Sequence, residues 1–175
     1  MVKASPLGAI YAGTVHPGRY LVLVTGDTAS VEIAVDIGTD AAGEHLADSV
    51  FLPDIHPDVT DAIVGGSEAA SLSEEALGIV ETKTVAAVID AADAGVKAAA
   101  VTVSSVRLAD GLGGKGYVLF SGVVAEVEAA VEAAVTRTGP HRSLVRSDLI
   151  AQLHAEMAEN LGAELRFMPR VRTGG

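Results

Sequence analysis

The sequence contains no cysteine and no tryptophan, and aromatic residues make up only 3% of it. The absence of cysteine excludes disulfide bonds, thiolate nucleophiles and cysteine-ligated metal centres. Because 49% of the residues are hydrophobic, the core must be built mainly from Ala, Val, Leu and Ile. Small aliphatic side chains favour close packing of helices on a sheet over large pockets.

Positive charge is also scarce, since 12 basic residues stand against 23 acidic ones and the net charge is −11. A field of that sign repels phosphate backbones, so nucleic-acid binding is not expected. No stretch approaches the ~20 apolar residues that cross a bilayer. The N-terminal residues MVKASP lack the apolar core of a secretion signal. We therefore expect a soluble, acidic cytoplasmic protein with no membrane partner.

An internal repeat is the most informative feature of the 175 residues. Residues 18–26 (GRYLVLVTG) resemble residues 114–122 (GKGYVLFSG) at an offset of 96, which is 114 − 18. Upstream, residues 2–4 (VKA) match residues 96–98 at an offset of 94. The chain therefore contains two copies of one unit, and the turn between the matched segments differs in length.

The second unit shows the fuller pattern. Residues 76–81 predict a strand, and apolar positions on one face predict a helix over 84–99. A strand over 101–107, a glycine-rich turn, a strand over 116–121 and a helix over 124–136 follow, with a further strand and short helix after Arg142. The first unit begins in the middle of this pattern, without the opening strand and most of the first helix. We assign 1–66 to the first unit, 67–75 to a linker, 76–162 to the second unit and 163–175 to a tail.

The tail alternates apolar and charged residues, as an edge strand does. Leu165, Phe167 and Val171 alternate with Glu164 and three arginines, while Pro169 restricts such a strand to a sheet edge or a bulge. We expect this segment to occupy the sheet edge that the incomplete first unit leaves open.

Several segments resemble the bacterial microcompartment shell domain: 76–82 (ALGIVET), 90–99 (DAADAGVKAA) and the turn 111–115. Residues 26–27, 43–44 and 46–57 resemble the first domain of tandem-domain shell proteins. The resemblance implies two α/β sandwich domains, each an antiparallel sheet of about four strands with helices packed on it. It also implies pseudohexameric homotrimers that tile with other shell proteins around encapsulated enzymes, in a cytoplasmic compartment, with a central pore for small metabolites.

The same resemblance implies where the pore and the shell edge lie. The pore would be lined by the turns between the second and third strands, namely Thr14, Val15, His16, Pro17 and Gly18 in the first unit and Asp110, Gly111, Leu112, Gly113 and Gly114 in the second. Lys97 and its counterpart Lys3 would make shell-edge contacts, although a lysine at a helix end is also favoured by the helix dipole alone.

The resemblance also implies that His16 stands where a similar tandem shell protein carries a cysteine that helps to hold an iron–sulfur cluster on the three-fold axis. Without cysteine the chain cannot hold a thiolate-bound cluster, and we predict no cofactor. Three imidazoles around an axis could bind a divalent metal, or His16 could be a polar, hydrated pore residue.

Catalysis is not predicted. The serines lie in strands or the linker, and none is accompanied by histidine in a recognisable nucleophile–base motif. The glycines after Asp110 match neither the P-loop nor the dinucleotide fingerprint. The alternative to a structural shell subunit is a trimeric regulatory module that binds a small molecule, which usually carries a basic anion-binding loop; none is visible here.

Overall fold

The computed structural model describes residues 6–64, 76–109, 111–139 and 143–162. Lys3, Asp110, the whole linker 67–75 and the tail 163–175 lie outside these ranges. The strands are β1 (Ala9–Val15), β2 (Arg19–Thr25), β3 (Ala76–Thr82), β4 (Thr102–Leu108), β5 (Gly116–Gly122) and β6 (Leu144–Ile150). The α-helices are α1 (Thr28–Ala42), α2 (Pro57–Val64), α3 (Val85–Ala98), α4 (Val124–Thr138) and α5 (Ala155–Gly162), and a short 3-10 helix covers Gly43–His45.

The second unit forms a four-stranded antiparallel sheet with the order β4-β5-β3-β6. Helices α3 and α4 cover one face, where Val80, Val118 and Phe120 are fully buried. The alternate residues Leu77 and Leu119 form a smaller cluster with Leu153 and residues of α5 on the other face. Residues that alternate along a strand point to opposite faces, so the sheet has a helix on each side.

Glycine allows the helices of this unit to approach the sheet closely. A Cβ at Gly95 of α3 would lie 2.4 Å from Cζ of Phe120, and one at Gly78 of β3 would lie 2.6 Å from a methyl carbon of Val131. Contacts this short do not occur between non-bonded carbon atoms, so a side chain at either position would force its neighbours to shift. The helices thus pack closely on the sheet, as the composition favours.

The first unit repeats part of this arrangement. The helices α1 and α4 are related by the offset of 96, and β1 and β2 pair as an antiparallel hairpin like β4 and β5. The described residues of this unit contain no counterpart of β3 or α3. Consequently β1 and β2 form a two-stranded sheet, instead of the sheet of about four strands that the resemblance implies for each unit.

Residues 48–54 show that the two-stranded sheet of the first unit also lacks the strand equivalent to β6. Residues 48–54 are the counterparts of β6 but form no strand. In the second unit β6 pairs with β3, and the described part of the first unit offers no such partner. A strand needs a neighbour to satisfy its backbone hydrogen bonds, and here residues 48–52 form no ladder while Pro53 and Asp54 lie in a turn.

The two units are joined by side-chain and backbone contacts. Helix α2, the last element of the first unit, packs against β4 of the second, and its Val59 is fully buried in the main core. The backbone N–H of His56 donates to Oδ1 of Asp93 on α3 at 2.8 Å. The larger core therefore extends from the second unit into the C-terminal part of the first. In the described ranges, no helix is long and apolar enough to cross a membrane.

Candidate functional site

The first predicted pore turn connects β1 to β2. His16, Pro17 and Gly18 form the turn, with a cis peptide bond before Pro17 and a φ of +74° at Gly18. The side chain of Val15, at the end of β1, is half-buried, while Thr14 and the three turn residues are exposed. The turn thus presents one imidazole to its surroundings from a short and sharply bent loop.

The second predicted turn connects β4 to β5 and is richer in glycine. Gly111, Gly113 and Gly114 have φ values of +73°, +65° and +82°, which only glycine adopts at low cost. The backbone closes the loop, because the Ala109 N–H donates to the carbonyl of Lys115 at 2.9 Å. Asp110, also predicted for this turn, lies outside the described residues.

The two turns lie side by side, although about a hundred residues separate them in sequence. A Cβ at Gly114 would lie 3.1 Å from Cδ of Pro17 and 3.3 Å from Nη1 of Arg19. The absence of a side chain at Gly114 is therefore what lets the first turn approach the second. The structure brings together the described residues of the two turns at one end of the molecule.

A set of polar side chains next to these turns was not predicted from the sequence. Lys115 forms an ion pair with Glu81 on β3, and Arg107 lies opposite Tyr117 across β4 and β5. Burial raises the pKa of Tyr117, and the positive charge of Arg107 partly opposes that rise. The Nε of Arg107 is buried without a hydrogen-bond partner among the described residues. Period-2 spacing places these residues on one sheet face, but only the strand register shows which of them meet.

Lys97 lies near the C-terminal end of α3, as predicted, and its side chain is 40% exposed. Its Nζ donates to Oδ2 of Asp93 at 2.7 Å and to the backbone carbonyl of Asp54. Since Asp54 belongs to the first unit, Lys97 and Asp93 together hold residues 54–56 of that unit against α3. Lys3, its predicted counterpart, lies outside the described residues.

His56 and His154 occupy equivalent places at the start of α2 and α5. The Nδ1 of His56 accepts from the N–H of Asp58 at 3.2 Å, and the Nδ1 of His154 accepts from the N–H of Glu156 at 3.4 Å. Each ring thus caps a free N–H of its helix. In the described ranges, no three His, Asp or Glu side chains are grouped closely enough to hold a metal.

Comparison with known proteins identifies the repeat. The BMC domain matches residues 1–55 and again residues 76–153, and these segments fall within the two units. The chain belongs to the bacterial microcompartment (BMC) domain family. The BMC chain is 40% identical over 157 residues to the bacterial microcompartment shell protein PduT of Citrobacter freundii, a match that covers 90% of this chain and 84% of PduT.

Solved structures agree with this assignment. A microcompartment protein from Desulfitobacterium hafniense has a TM-score of 0.79 and 35% identity, over 90% of this chain and 87% of that one. A fused permuted hexameric shell protein from the RMM microcompartment has a TM-score of 0.52 and 25% identity, over 78% and 72% of the respective chains. The predictions of a tandem shell-domain fold and of a bacterial microcompartment shell protein are thereby confirmed.

Proposed function

We propose that this BMC chain is a structural, non-enzymatic shell subunit that assembles as a pseudohexameric homotrimer around a central pore for small metabolites. One observation carries the proposal: the turn 16–18 and the turn 111–114 lie against each other at one end of the molecule. Two such turns supplied by each of three chains give a ring of six. Turns that converge in this way leave a narrow opening lined by backbone and short side chains.

The contact between the two units supports ring formation. Within the chain, α2 of the first unit packs on β4 of the second. Its counterpart in the second unit is α5, whose Met157 is 51% exposed, and the counterpart of β4 is β1, most of which is exposed. Repeating the same contact from α5 of one chain to β1 of the next uses the exposed side of α5 and the exposed strand β1. Contacts of this head-to-tail kind form a ring when the rotation from one chain to the next closes after three copies.

The proposed pore is lined by Thr14, Val15, His16, Pro17 and Gly18 together with Asp110, Gly111, Leu112, Gly113 and Gly114. The glycines allow backbones to converge and direct N–H groups toward the opening. Three copies of His16 contribute a hydrated polar ring, and we propose no resident metal or cofactor. The selectivity of such a pore depends on these few groups and not on the net charge of −11.

We further propose that Lys97 contributes to lateral packing with neighbouring shell proteins, and that Lys3 does so from the first unit. Asp93 restrains the Lys97 ammonium group at 2.7 Å, while 40% of the side chain stays accessible for an additional contact. A restrained lysine loses less conformational entropy when it meets a neighbour. The sheets formed by lateral packing would enclose the cargo enzymes of the compartment.

The proposal is tested by mass photometry and negative-stain electron microscopy of the purified chain. We expect trimers with a hexagonal outline that associate into sheets. In a Lys97→Ala variant the trimers should persist while the sheets are lost, whereas a Lys83→Ala variant, which changes an exposed lysine elsewhere, should behave as the parent. Monomers or irregular oligomers would contradict the assembly, and trimers that bind a nucleotide in calorimetry would instead support the regulatory alternative.

A further inference from the structure

The N-terminal end of α3 lies beside the glycine-rich turn and is hydrogen-bonded to the first unit. A Cβ at Gly116, just after that turn, would lie 2.5 Å from Cγ1 of Val88, so the start of α3 covers the start of β5. Thr84, the N-cap of α3, accepts from the Ala87 N–H at 3.2 Å. Its hydroxyl donates to Oδ2 of Asp48, and the positive end of the helix dipole favours a carboxylate at this place. Asp48 thus attaches the first unit to α3 close to the glycine-rich turn.

The C-terminal end of α3 carries a second attachment to the first unit. The helix has 14 residues and is therefore about 21 Å long. The His56 N–H donates to Oδ1 of Asp93 at 2.8 Å. Lys97 donates to Oδ2 of Asp93 at 2.7 Å and to the backbone carbonyl of Asp54. Residues 48–56 of the first unit therefore run along α3 and are fixed to it at both ends.

Asp93 is the buried member of this second attachment. It is 6% exposed and lies on α3 among buried residues such as Ala92 and Val96. A buried carboxylate is costly unless donors satisfy it, and its main effect is to favour the one arrangement in which they do. The bond from Lys97 can form within α3 alone, because the two residues are four apart. The bond from the His56 N–H forms only when the first unit is docked in this orientation.

The apolar contact between the units holds them together without defining their angle. Val59 of α2 is fully buried in the main core, but apolar burial is non-directional. A hydrogen bond weakens when its donor and acceptor are misaligned, so the bonds along α3 can set the angle. Within the first unit, the Thr28 hydroxyl donates to the Pro53 carbonyl at 3.4 Å, which ties residues 48–56 to the start of α1. The orientation of this segment is thereby passed to the rest of the unit.

We propose that Asp93 is a positioning residue that fixes the orientation of the first unit on the second, and thereby the spacing of the turns 16–18 and 111–114. A Cβ at Gly114 would lie 3.1 Å from Cδ of Pro17, so the turns are in close contact and a small rotation of one unit separates them. The consequence for the pore rests on the proposed function. The orientation itself is a property of a single chain.

The test measures distances between spin labels in the full chain. Because the sequence contains no cysteine, labels can be attached at introduced cysteines only. A pair at Asp40 on α1 and Glu128 on α4, both exposed, reports the orientation of the units by double electron–electron resonance. A second pair at His16 and Leu112 reports the spacing of the turns by dipolar line broadening. Labelled protein is diluted with unlabelled protein, so that the distance within one chain is measured whether or not the chains assemble.

Three variants separate positioning from general stability. Asp93→Ala should widen the distance distribution between α1 and α4 and reduce the line broadening between the turns. In the same variant, exchange of the His56 N–H should become about tenfold faster or more, because its acceptor is lost. Asp93→Asn keeps an oxygen that can accept from that N–H and should give the distances of the parent. Asp90→Ala is the matched control, since it removes from the same helix an ion pair with Arg137 that lies within the second unit.

A variant at the other attachment completes the test. Asp48→Ala changes an exposed side chain and should widen the same distribution to a smaller extent. Parent-like distances in Asp93→Ala would overturn the proposal, as would equal widening in Asp90→Ala, because α3 as a whole would then have loosened. If Asp93→Ala does not fold, parent-like distances in Asp48→Ala overturn it instead. Normal distances in a chain that forms no trimers would contradict the proposed assembly and leave the role of Asp93 supported.

Discussion

The two units share a sequence pattern but differ in how much of it is buried. In the second unit, β3 and α3 lie in the middle of the fold, and 18 of the 21 buried hydrophobic residues in the described part of the chain belong to residues 76–139. In the first unit the described residues contain no counterparts of β3 and α3, and only Ala34 and Val59 reach full burial. Apolar residues at the right spacing therefore form a core only when the central strand and its helix are there to cover them.

The largest difference in the stability cost of a substitution should appear at the equivalent positions 120 and 24. Phe120→Ala removes a fully buried ring from the second unit and should lower the free energy of unfolding by about 3–5 kcal/mol. Its counterpart Val24 is half-buried, so Val24→Ala should cost at most about 1 kcal/mol. Urea unfolding monitored by circular dichroism measures both values. Equal losses would mean that the first unit is as well packed as the second.

Substitution of one glycine in each unit should have different effects on stability. Gly95→Ala places a methyl group against the Phe120 ring, where only 2.4 Å is available, and should destabilise the protein by about 1–3 kcal/mol despite the better helix propensity of alanine. A Cβ at Gly13 on β1 would meet nothing within 4 Å, so Gly13→Ala should change stability by less than about 0.5 kcal/mol. Thermal unfolding of the two variants checks this. A stable Gly95→Ala protein would show that α3 can shift away from the sheet.

The N-terminal caps of the equivalent helices α1 and α4 also differ, and here the first unit has the more favourable arrangement. Asp27 caps α1 by accepting from the N–H of Ser30 at 3.0 Å, while the equivalent Val123 before α4 makes no side-chain cap although its backbone is similarly extended. Val123→Asp should therefore stabilise the protein by about 0.5–1 kcal/mol. Val123→Ala serves as the control, since it shortens the side chain without supplying a cap. A gain in both variants would indicate an effect other than capping.

The smallest expected effect is a pH dependence confined to the first unit. Hydrogen bonds from the Ser30 side chain and N–H hold the pKa of Asp27 below the value of 3.8 expected for the unfolded chain. A lowered pKa in the folded state means that the stabilisation is present above pH 3.8 and is lost as the pH falls through the folded pKa. The melting temperature of Asp27→Asn should accordingly vary less with pH in this acidic range than that of the parent. Parallel curves would show that Asp27 does not contribute through its charge.

Much of the fold was predictable because the same pattern of strands and helices occurs twice in the sequence. The helix predicted over 84–99 is α3, and the strand predicted over 116–121 is β5. The strand predicted over 101–107 is β4, although its strict alternation fails at an irregularity between Val103 and Ser105. Local periodicity identifies an element in this way, since it depends on which residues face the core.

The contacts between elements could not be predicted in the same way. Residues 48–54 form no strand although their counterparts form β6, a difference that the repeat pattern alone does not indicate. The hydrogen bonds of Lys97 with Asp54 and Asp93 depend on how the first unit docks on α3. The proximity of Gly114 to Pro17 likewise follows from that docking, because long-range pairing is set by packing and not by residue type alone.

The unlike sequences of the two adjacent turns have a consequence for symmetry. A ring made from six identical single-domain chains must repeat every axial side chain six times, so each substitution is multiplied by six. In the proposed three-chain ring, a substitution at the His-Pro-Gly turn appears three times and leaves the glycine-rich turn untouched. Because the two units are joined in one chain, a single mutation can change the side chains of three of the six turns around the opening, while the other three turns keep their sequence and shape.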